Sequence, residues 1–147
     1  MTTKADFSEE EWSTVLEGPP SAGLIVITAA KGGMIRETWA MSKAYAEARR
    51  QHGASELLDA VVAAKPEMDH TRYHTPEELH EHGLQHIRDA VGLLGTKATP
   101  EELDAYRRFV LAVADKVAAA HKEGGTAVSP AETQALASIT EALGGAG

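Results

Sequence analysis

The sequence predicts an all-α protein, a compact bundle of six or seven helices built around two helix–glycine turn–helix units. Three observations carry that expectation. Hydroxyl residues followed three positions later by Glu recur along the chain, apolar residues step by three and four over long stretches, and no segment alternates as a strand would.

The helix starts come first, because a hydroxyl at the cap and a Glu three residues on satisfy backbone N–H groups that would otherwise lack partners. Ser8 with Glu11, Thr75 with Glu78, Thr99 with Glu102 and Ser129 with Glu132 fit this pattern. Pro76, Pro100 and Pro130 stand at the first helical position, where a missing N–H costs nothing. Phe7 and Trp12 have the spacing of a hydrophobic staple around the first start. Ser21 to Ala30 reads as a buried helix despite β-branched Ile25, Val26 and Ile27, since a helix apolar on nearly all sides belongs in a core. Gly32 and Gly33 break that run. Met34 to Arg49 then resumes as a helix with Ile35, Trp39 and Ala46 facing inward. Ser55 to Ala64 and Pro76 to Leu94 read as two further helices. From Thr99, the positions Leu103, Tyr106, Val110, Val113, Val117 and Ala120 make one buried stripe, expected to run to about Lys122. Gly124 and Gly125 end it, and Leu136, Ile139 and Leu143 continue the spacing in a terminal helix. The helices from Leu24 to Ala30 and from Leu103 to Lys122 are expected at the centre.

Composition narrows the function. A chain of 147 residues with 43% hydrophobic content suits one continuous domain, with residues 1–6 and 145–147 expected to be flexible. There is no cysteine, so disulfides, thiolate metal sites and cysteine nucleophiles are excluded. The formal net charge is −8 with dispersed basic residues, which leaves no footprint for a nucleic-acid backbone. No secretory leader or membrane-spanning apolar run is present in the sequence, and the expected location is the cytoplasm.

LIVITAAKGGM, from Leu24 to Met34, bears some likeness to the phosphate loop of ParA- and MinD-type ATPases. That chemistry needs a Lys for the outer phosphates and a hydroxyl for magnesium. Arg36 and Glu37 stand there instead, and the chain lacks the further strands of a nucleotide fold.

With the glycine pair read as a helix break, TAAKGGMIRETWAMSKAY and AAHKEGGTAVSPAETQALASI share a plan of alanine-rich helix, glycine turn and helix with an early Glu. This resembles the TerB-like family of small helical tellurite-resistance and stress-response domains, over Leu24 to Gly145. The resemblance implies a non-enzymatic interaction or sensing module in a stress response, with a protein partner. It also implies that acidic turn residues contact a metal, a role that passes to Glu123 and Glu132, while Glu37 matches only the later acid of the first turn. Lys31 stands at the position of that turn's Asp, a departure from the family pattern. Glu132 also has a local role as the Glu of a capping box.

Five of the seven histidines, His70, His74, His80, His82 and His86, fall in MDHTRYHTPEELHEHGLQH. Glu78, His82 and His86 step by four on one helix face and present a carboxylate and two imidazoles suited to a divalent metal such as Zn. An exposed polar face explains the same spacing. The two imidazoles would need another acid from a different helix. Two alternatives to the interaction module therefore stand: a metal-binding protein or metal-dependent enzyme using this segment, and a structural homo-oligomeric subunit hiding some of Trp12, Trp39 and Met41. No catalytic residue and no cofactor other than a divalent metal is suggested.

Overall fold

A computed structural model describes residues 3–29, 34–50, 56–64, 75–123 and 130–144; within them, the side chains of 28–29, 34–38, 76, 120–123 and 131 lie outside the description. After a 3-10 turn at Lys4–Asp6 come six α-helices: α1 Glu9–Ala29, α2 Met34–Arg50, α3 Glu56–Ala63, α4 Pro76–Lys97, α5 Pro100–Glu123 and α6 Pro130–Ala142. The described residues contain no strand, and the fold is all-α. Both glycine pairs of the expected helix–turn–helix units lie outside the described residues, whereas the helices flanking them are in place.

Local capping chemistry sets the helix starts. Ser8 Oγ accepts from the Glu11 N–H at 3.1 Å, and Glu11 Oε1 accepts from the Ser8 N–H at 2.8 Å. Thr99 and Glu102 make the same reciprocal pair at 3.2 and 2.9 Å. Thr75 Oγ1 accepts from the Glu78 N–H at 3.1 Å. Each such cap contributes about 1 kcal/mol. Phe7 and Trp12 meet with ring centroids 5.7 Å apart, as a staple requires. Ser129 lies outside the described residues, so the fourth box has no described geometry.

α1 departs from the expectation of a fresh helix at Ser21, because it runs unbroken through Pro19 and Pro20. An internal proline removes the N–H that would bond the carbonyl four residues back, at a cost of about 3 kcal/mol. For Pro19 that carbonyl belongs to Val15. The Tyr106 hydroxyl, from α5, donates to the Val15 oxygen at 2.6 Å and replaces the lost bond. Gly18 makes room for it: a Cβ there would lie 2.1 Å from the Tyr106 oxygen. Glycine, proline and tyrosine together carry the helix across the break.

Three contacts orient the long helices. Ile25, Glu17 and Glu11 of α1 meet Gly83, His86 and Lys97 of α4 in that order, so the two run antiparallel. At the first, a Cβ on Gly83 would lie 2.9 Å from Ile25, which sets a close approach between the helices. At the last, Lys97 Nζ donates to Asp6 O at 2.8 Å and Glu11 Oε1 at 3.0 Å, joining the end of α4 to the start of α1. α5 packs on all five other helices, and α1 on α2, α4, α5 and α6, so these two form the centre as expected. Tyr106, Val110, Val113 and Val117 are buried, with Leu103 half-buried.

One inward assignment is corrected. Trp39 is 65% exposed, with Lys43 Nζ 4.4 Å from its ring centroid, and α2 buries Ala40, Met41, Ala44 and Tyr45 instead. The buried residues lie on nearly the opposite side of the helix from Trp39 and Ala46, so Met41 and Tyr45 form the core stripe. Ile35 has no described side chain.

Candidate functional site

The histidine-bearing helix is built as the sequence suggests, yet its side chains do not converge. Glu78 and His82 are exposed, and His86 is half-buried. The antiparallel pairing of α1 and α4 brings Glu17 to His86, with Nδ1 and Oε2 3.1 Å apart. Glu17 is thus an acid from another helix of the kind the two-histidine arrangement calls for, and it meets His86. His70 and His74 lie outside the described residues, as does the Glu123 side chain, and Glu37 likewise. Glu132 is fully buried in α6, which packs on α1, α4 and α5, and it is engaged within the fold. Among the described residues, no three His, Asp or Glu side chains group closely enough to hold a metal ion.

A second region was not singled out in the sequence. α2, α3 and α5 enclose an open trough of about 370 Å³, within the range of ordinary binding pockets. Its floor is apolar: Ala44 and Ala48 from α2, Leu58 from α3, and Ala105, Phe109 and Ala112 from α5. Alanines repeating at helical spacing leave the two long helices without bulky side chains on this face, and that absence of bulk forms the space. Tyr45 supports the floor from below, edge-on to Phe109 with ring centroids 5.0 Å apart.

Charge is confined to the rim. Lys116 of α5 bridges to Glu47 of α2 at 2.5 Å, and Arg108 is held by Asp104 one turn earlier on its own helix. The hydrogen bond from Lys116 holds the Glu47 carboxyl below the usual carboxylate range. Asp59 completes the rim from α3. Trp39 lies on α2 two turns before Glu47 and is not among the residues that line the trough. It is the one large exposed hydrophobic side chain among the described residues.

The alanines carried no sequence signal as a site, because alanine is also the most favourable residue for an ordinary helix. No protein-family model matches the chain, and neither does any curated protein or solved structure. Among the described residues, no helix is long and apolar enough to cross a membrane.

Proposed function

We propose that the chain is a non-enzymatic interaction or sensing module, acting in the cytoplasm in a stress response in the manner of TerB-like domains. The observation that carries the interaction role is the exposed Trp39 on α2, the helix that also forms one wall of the open apolar trough. Large exposed aromatic residues beside concave apolar surface are the usual energetic centres of protein interfaces. The TerB-like character rests on the paired helices α1–α2 and α5–α6 around the two glycine pairs of the sequence. Affinity capture from cells with Trp39→Ala as the control tests the role. A partner lost with the indole supports it; the same proteins recovered with both forms counts against this face as the interface.

A metal-binding reading has one specific observation in its favour, the Glu17–His86 pair one turn from His82. It requires a further ligand from outside the described residues. Calorimetric titration of tag-free protein with Zn, Mn and Ca checks it. Stoichiometric binding abolished in the His82→Ala, His86→Ala double variant would establish this reading, and absence of heat with all three metals would remove it.

A further inference from the structure

We draw no further inference here: the strongest candidate, the open apolar trough between α2, α3 and α5, carries none, because the charges of Glu47, Asp59, Arg108 and Lys116 along it cancel and nothing in the structure shows what covers it.

Discussion

Tyr106 is the residue on which the longest-range local argument turns. Its buried hydroxyl supplies the donor that Pro19 removes, and burial pushes its ionisation well above the ordinary tyrosine range, so it remains a donor throughout the physiological pH range. Tyr106→Phe leaves the Val15 carbonyl buried without that bond and should cost about 1–3 kcal/mol in urea unfolding. Pro19→Ala restores the backbone donor, so the two substitutions combined should cost less than the sum of each measured separately. A strictly additive cycle would show that the hydroxyl does not compensate the proline. Glu11 makes a pH-dependent prediction. Its carboxyl is lowered by the Ser8 N–H first and by Lys97 next. A lowered carboxylate contributes stability that is present above its unfolded value and is lost as the pH falls through the folded one. Glu11→Gln should therefore lower the melting temperature at neutral pH, and the gap from wild type should close in acid. A gap that widened in acid would contradict the assignment.

At the scale of elements, the caps were readable because a cap is decided within four residues, as Ser8 with Glu11 and Thr99 with Glu102 show. The continuity of α1 was not readable. Two adjacent prolines look like a boundary, and the carbonyl that Pro19 leaves without its helical donor is met by a side chain from α5. The rotation of α2 escaped for a related reason. Ile35, Trp39 and Ala46 make a plausible stripe by spacing, but Met41, Ala44 and Tyr45 make another, and the choice depends on which neighbour is met. The approach of α1 to α4 gives a direct test of helix spacing. Gly83→Ala gains up to about 1 kcal/mol of helical preference but drives a methyl into Ile25, and overpacking of this kind costs about 1–3 kcal/mol. A net loss of stability on thermal unfolding is expected, smaller when Ile25→Val accompanies it. Stabilisation by Gly83→Ala would mean that the helices separate freely.

For the whole molecule, buried residues from all six α-helices join in one cluster, so unfolding should be a single cooperative transition. Ile139→Ala, at a fully buried site on α6, should cost about 2–5 kcal/mol and lower the midpoint by roughly 2–4 °C per kcal/mol while keeping one transition. Two separated transitions would show that α6 forms a unit of its own. The candidate sites divide along the same line as the elements. Glu78, His82 and His86 were legible as one helical face because their spacing is local, and α4 carries them so. Their ligand geometry was not legible, since the acid that meets His86 is Glu17, which comes from the distant helix α1. Helix composition, most helix ends and the buried stripe of α5 follow from the sequence, because hydrogen bonding at a cap and the helical repeat involve residues close along the chain. The tertiary structure settled the bridged prolines, the outward Trp39, the Glu17–His86 pair and the trough, because each depends on which faces of distant helices come together.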